Sequence, residues 1–231
     1  MLLSRHTALL RGIKTPLSSK TTIRLLASAA AQAMTTPTEK TETKTRFSEH
    51  VKKDHRELRD YYDNIMAGTS NDERTRWQNQ FVWELARHSV GEELVVYPAF
   101  ESYLENGKEM ADKDRKDHRS VKEALYKFQN LKATDDEFLP TIVSLWEELS
   151  QHIKEEEEND LPALENALDE DASYKLGRSF QRTKFFAPTR SHPNAPDKPP
   201  FETVAGLLAA PMDQIKDLFS KFPSQSETET E

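Results

Sequence analysis

Two segments decide the fold: His88-Ser-Val-Gly-Glu92-Glu93-Leu-Val-Val-Tyr97-Pro98-Ala99 and His152-Ile-Lys-Glu-Glu156-Glu157-Glu-Asn-Asp-Leu161-Pro162-Ala163. His88, Glu92, Pro98 and Ala99 recur as His152, Glu156, Pro162 and Ala163, each 64 residues later. Upstream of each segment stands a second repeated unit. Asp54-His55-Arg56 returns as Asp117-His118-Arg119 at an offset of 63. The chain therefore holds two helical hairpins of one pattern, a His on the first helix and His-x-x-x-Glu on the second.

Apolar residues around these motifs step by three and four, the period of an amphipathic helix. The first helix reads Phe47, Val51, His55, Leu58, Tyr62, Ile65 and ends near Gly68, after which Asn71 or Asp72 can cap the second. The second reads Trp77, Phe81, Leu85, His88, Glu92, Val95, Ala99 and ends near Asn106-Gly107. The third reads Met110, His118, Val121, Leu125, Phe128. The fourth starts near Asp135-Asp136 and reads Phe138, Ile142, Leu145, Leu149, His152, Glu156. Short connections make successive helices antiparallel. The expected fold is all-α, an antiparallel up-down four-helix bundle over residues 46–171.

A helix turns about 100° per residue, so i and i+4 share a face. His88 projects with Glu92, and His152 with Glu156, inside the apolar stripes of their helices. His55 and His118 interrupt the other two stripes. A lone histidine on an apolar face is more often a hydrogen-bonded core residue. Here there are four, one per helix, with two glutamates in register. Burying two carboxylates and four imidazoles is costly unless charge is paired and lone pairs are used. A pair of divalent ions meets both needs, and bundles build dinuclear sites in this manner.

Counting donors favours two metals. Four imidazoles supply four bonds, two bridging carboxylates about four more, and a bridging oxo or hydroxo group about two. Two octahedral ions take about twelve, so open positions remain for a small molecule. Mixed imidazole and carboxylate donors suit iron, whereas zinc more often settles for four ligands. The candidate ligands are His55, His88, Glu92, His118, His152 and Glu156. Glu157, at the edge of its stripe, is the rival ligand. Glu93 points away from the stripe and reads as solvated or as a supporting residue. His50, about 140° from His55 by helical rotation, reads as exposed. Trp77, Phe81, Phe128 and Trp146 read as core and shielding.

Composition narrows the alternatives. With no cysteine, disulfides, zinc ribbons, iron–sulfur clusters and thiol catalysis are excluded. A net charge of −8 disfavours nucleic acid as a main partner. No apolar run is long enough to span a bilayer.

The flanks read differently from the centre. The first acidic residue is Glu39, and before it stand Arg5, Arg11, Lys14, Lys20 and Arg24 among many Ser and Thr. Residues 1–34 have the composition of a mitochondrial transit peptide. Met34 also offers an internal start that would leave a cytoplasmic form. Residues 35–45 read as linker. Residues 172–231 read as a tail: a Pro-rich extended stretch over 177–200, an amphipathic helix from about Thr203 to Phe222 with a break near Pro211, and a disordered Ser/Thr/Glu end.

The pattern resembles the hemerythrin-like, or HHE cation-binding, family in its fungal type. The resemblance lies in Asp54-His55, His88-Ser-Val-Gly-Glu92-Glu93 with Tyr97-Pro98, Asp117-His118, and His152-Ile-Lys-Glu-Glu156 with Leu161-Pro162. Phe186-Ala-Pro-Thr-Arg-Ser-His-Pro is similar to tails attached to such domains. The resemblance implies a non-haem di-iron centre with the four histidines as terminal ligands and Glu92 and Glu156 as bridges. Two departures set this chain apart from oxygen-carrying members. Lys122 stands where those have a second third-helix His, and His-x-x-x-Glu replaces His-x-x-x-x-Asp on the last helix. One iron thereby loses a nitrogen ligand. The expected function is binding of dioxygen, nitric oxide or a related small molecule, in oxygen, iron or nitrosative-stress homeostasis. The alternatives are a di-iron enzyme acting on peroxide or nitric oxide, and a metal-free helical interaction module.

Overall fold

A computed structural model describes residues 44–195 and 201–228, with the backbone alone for 201–208. The transit-peptide reading and nearly all of the expected linker lie outside the described residues. So do Pro196, Pro199 and Pro200.

Four long helical stretches form the bundle. The first is α1, Phe47–Ala67. The second runs through α2 (Asn71–Gly91), a π-turn (Glu92–Val96) and α3 (Tyr97–Tyr103). The third is α4, Gly107–Gln129. The fourth repeats the second: α5 (Phe138–Glu155), a π-turn (Glu156–Asp160) and α6 (Leu161–Ala167). The helical bundle expected from periodicity is thus the observed fold. Among the described residues there is no strand, and no helix long and apolar enough to cross a membrane.

The paired π-turns have a cause in the sequence. Pro98 and Pro162 have no N–H, and their rings crowd the carbonyl four residues back. The turn before each proline widens to i→i+5, with the Tyr97 N–H donating to Glu92 O and the Leu161 N–H to Glu156 O. One extra residue per turn brings neighbours closer in angle than the usual 100°. As a result both Glu92 and Glu93 are fully buried.

The start of α2 is capped by Ser70, which accepts from the Glu73 N–H at 3.1 Å, while Glu73 accepts from the Thr69 N–H at 2.9 Å. The cap lies one residue before the expected Asn71. The first N–H groups of α1 are satisfied by tertiary contacts instead: Phe47 N–H donates to Ser173 Oγ and Ser48 N–H to Glu165 Oε1, each at 3.2 Å.

Beyond the bundle the sequence reading needs a correction. Residues 170–186, which include the first part of the stretch expected to be extended, form a helix, α7 (Glu170–Phe186). Asp169 caps it by accepting from the Ala172 N–H at 2.7 Å. The helix buries Gly177 and Phe180 against α1 and α2. Its polar outer face masked its period, and tertiary packing supplies the stability that propensity alone does not. Gly177 lies over α1, where an added Cβ would come 2.8 Å from a His50 ring carbon. His50 is therefore half-buried rather than exposed.

The chain then does run extended along α4. Ser191 Oγ donates to Lys122 O at 2.6 Å, and Gln129 exchanges two bonds with the Ser191 backbone. Helix α8 (Phe201–Asp217) occupies the range expected for the C-terminal amphipathic helix and carries Pro211 inside it. His192 meets Asp213 at 2.8 Å, which fastens the extended segment to α8. A last turn, α9 (Gln225–Thr228), is held where disorder was expected, because Glu227 pairs with Arg76 of α2 at 2.8 Å.

The apolar core divides in two. Leu58, Phe81, Leu85, Val121, Phe128, Phe138 and Leu149 belong to one cluster, and Phe47, Val51, Val96, Tyr97, Phe100, Leu161 and Phe180 to the other. Between them, on every helix, lies one polar layer.

Gly107 sits where α3 and α4 meet, and a Cβ there would lie 1.8 Å from Phe100 O. Gly107→Ala forces backbone to move and should destabilise the fold by about 2–4 kcal/mol. Asp169→Ala removes one cap and should cost about 1 kcal/mol. Thermal melts of the two variants check the order: a Gly107→Ala midpoint as high as that of Asp169→Ala would refute the close approach.

Candidate metal centre

The polar layer consists of the residues the repeat singled out. His55, His88, Glu92, His118, His152 and Glu156 are all buried, the two glutamates completely. Two sets of three bring a ligand atom each within 4.8 Å of one another: His55, His88 and Glu92, and Glu92, His118 and His152. Glu92 is common to both. Its Oε2 lies 3.2 Å from His88 Nε2 and 3.3 Å from His118 Nε2. Glu156 Oε2 stands 3.4 Å from His55 Nε2. His118 Nε2 and His152 Nε2 approach to 3.1 Å. The His55 and His88 rings lie edge to face at 4.9 Å, and His118 and His152 repeat this at 4.8 Å.

These contacts are not a satisfied hydrogen-bond network. Neither oxygen of Glu92, neither oxygen of Glu156, and neither His55 Nε2 nor His152 Nδ1 has a hydrogen-bond partner. Buried carboxylates without donors are rare and costly. A cation held by Glu92, Glu156 and the imidazoles would offset that cost.

The electrostatics of the layer ask for positive charge. Burial pushes the His88 imidazole down, but Glu92 on one nitrogen and Asp54 on the other outweigh it and lift it to about 10. His118 is likewise penalised by burial yet lifted to about 9 by Glu92 and Glu93. Glu92 stays well below the usual carboxylate range despite its burial, because His88 and His118 face it. Burial and the neighbouring Glu92 push Glu156 up to about 7. Burial and His118 push His152 down to about 3, leaving a neutral imidazole. Neutral imidazoles and ionised carboxylates are the forms that bind metals.

A supporting ring fixes the imidazoles from behind. Asp54 Oδ2 takes a bond from His88 Nδ1 at 3.1 Å. Lys184 of α7 pairs with both Asp54 and Glu84. Asp54, Glu57 and Glu84 also stand close enough to hold a cation, but there Lys184 supplies the charge. Phe180, from the same helix, meets the His88 ring edge to face at 5.9 Å. Glu157 Oε1 lies 2.8 Å from His55 Nδ1 with its side chain 35% exposed, so it stands behind His55 and not beside Glu156. Glu93, for which solvation was one expectation, is instead buried: Lys122 Nζ donates to both its oxygens at 2.8 Å, and His118 Nδ1 is 3.4 Å away. The π-turn rotated it inward, and Lys122 neutralises it.

Four participants were not assigned a role from the sequence. The Tyr97 hydroxyl, fully buried, reaches His118 Nε2 at 2.8 Å. Asp54 was visible only as part of the Asp-His repeat. Lys184 and Phe180 lie in a stretch read as the start of a tail. The aromatic residues read as core hold that place, with Trp77, Phe81 and Phe128 buried and Trp146 stacked on Tyr62 at 4.8 Å.

Comparison with known proteins agrees with this layout. The family profile described as Hemerythrin HHE cation binding domain matches residues 46–164, just over half the chain. An uncharacterised hemerythrin-like protein of Schizosaccharomyces pombe is 59% identical over 180 residues, which cover 78% of this chain and 89% of that protein. A crystal structure of a hemerythrin HHE cation binding domain-containing protein from Mycobacterium kansasii superposes with a TM-score of 0.53 at 19% identity. That match covers 61% of this chain and 86% of the other, and it bears on the fold alone. Bundle, repeated His and Glu pattern, and profile agree: the chain belongs to the hemerythrin HHE cation-binding domain family.

Proposed function

We propose that this chain is a non-haem di-iron protein that binds dioxygen, nitric oxide or a related small molecule, in oxygen, iron or nitrosative-stress homeostasis. The observation that carries this reading is that none of the four oxygens of Glu92 and Glu156 accepts a hydrogen bond, although both side chains are fully buried among four imidazoles. His55 and His88 would hold one ion, His118 and His152 the other, with Glu92 and Glu156 between them. Two irons would supply redox-active ions with open coordination positions.

The chain's own residues do the rest. Asp54 and Glu157 accept from the outer nitrogens of His88 and His55, which presents Nε2 to the centre in both rings. Phe180 and the two apolar clusters exclude water, so a small ligand meets fixed dipoles rather than solvent. Tyr97 aims a hydroxyl at the same point and can donate its proton to an acceptor there. This last feature also favours the second reading, a di-iron enzyme acting on peroxide or nitric oxide. The basic, Ser/Thr-rich residues 1–34 support delivery to the mitochondrion.

Elemental analysis of the full chain purified from iron-supplemented cells should give two irons per chain. His88→Ala and His152→Ala should each lose one or both. Full occupancy in both variants would refute the assignment, and a wild type without transition metal would leave only an interaction module. Mixing the reduced protein with dioxygen or peroxide separates binder from enzyme. A stable adduct supports binding. Repeated turnover that Tyr97→Phe slows by at least about tenfold supports acid–base help from Tyr97.

A further inference from the structure

The two halves of the repeat differ in one respect. In the first half Asp54 bonds the outer nitrogen of His88. Its counterpart Asp117 makes no such bond with His152, the counterpart of His88, whose Nδ1 is buried without a partner. Asp117 instead takes Lys113 Nζ at 3.0 Å, with its side chain 39% exposed. One turn before it on α4 is Asp114, 1% exposed, with Oδ2 also lacking a partner. Asp114, Asp117 and His152 bring a ligand atom each within 4.8 Å of one another. His152 thus belongs both to this set and to the inner set with Glu92 and His118.

We propose that Asp114, Asp117 and His152 form an outer cation site, a station at which divalent metal is taken from solvent before His152 passes it inward. The proposal rests on the di-iron reading above. Two carboxylates and an imidazole suit a divalent first-row ion. Exposure falls from Asp117 to Asp114 to the fully buried Glu92, which gives the graded path an entering ion needs. Glu155 adds charge at the mouth. Lys113 Nζ lies 3.0 Å from Asp117, 3.7 Å from Asp114 and 2.8 Å from Glu155, with half of its side chain in solvent. Exposed ion pairs of this kind hold weakly, so Lys113 is a placeholder that a divalent ion displaces. On the opposite side the His88 half is closed by Phe180 and by the buried Lys184, and behind His55 a single partly exposed carboxylate, Glu157, stands where the His152 half offers a three-donor set.

Anaerobic mixing of the metal-free full chain with ferrous iron tests this, with chelator quench at timed intervals and a count of retained iron. Asp114→Asn/Asp117→Asn should load at least tenfold more slowly and reach the wild-type final count. Asp117→Asn alone, at a partly exposed position that keeps the fold, should be slowed by a smaller factor. Lys113→Met should load at least twofold faster. Glu123→Gln, which removes an exposed charge elsewhere on α4, should load as wild type. Wild-type rates in both aspartate variants overturn the proposal, as does equal slowing by Glu123→Gln. A lower final count at unchanged rate also overturns it, because the aspartates would then act on retention and not on entry. A wild type that retains no iron defeats the di-iron reading and this proposal with it; normal wild-type loading beside unimpaired variants defeats the outer site alone.

Discussion

Glu92 faces His88 and His118, and Glu156 faces His55, in a layer that solvent does not reach, and none of the four carboxylate oxygens accepts a hydrogen bond. Every other feature of the bundle can be read from that constraint. Two apolar clusters close the layer from above and below, so its charges cannot be relieved by water. Buried charge of this size without hydrogen bonds ordinarily shifts protonation or unfolds a site. Here the carboxylates pull protons onto His88 and His118, and the family to which the chain belongs is one that meets the same demand with cations.

The π-turns are part of how the layer is built. A proline six residues after each glutamate forces the preceding turn open. In the second stretch the wider turn brings a further carboxylate, Glu93, into the interior. That group is matched by Lys122 on the neighbouring helix. In the fourth stretch the counterpart of Glu93, Glu157, stays at the edge with its side chain 35% exposed, so the layer is asymmetric in charge.

The segment after the family domain is structural, and it reaches the layer. Helix α7 brings Phe180 to the His88 ring and Lys184 to Asp54, and Gly91 is needed for the first contact because a Cβ there would lie 2.7 Å from the Phe180 ring. The orientation of His88 thus depends on a residue 96 positions away in the chain. The extended segment and α8 continue around the bundle, tied by Ser191 to Lys122 and by His192 to Asp213.

By itself the sequence determined the bundle and the membership of its polar layer. Helical period and a repeat at 63 to 64 residues are local or one-dimensional signals, and they sufficed to bring His55, His88, Glu92, His118, His152 and Glu156 to one level. Tertiary structure decided what lies behind those residues. Glu93 turned inward because a π-turn altered the rotation that an ideal helix implies, and Glu157 became a partner of His55 rather than a member of the centre. Helix α7 carried a weak period and depends on packing against α1 and α2, so Lys184 and Phe180 could not be assigned from their own neighbourhood. The physical reason is the same in each case: periodicity reports which face a side chain shares, whereas its partner is set by chain segments far away in sequence.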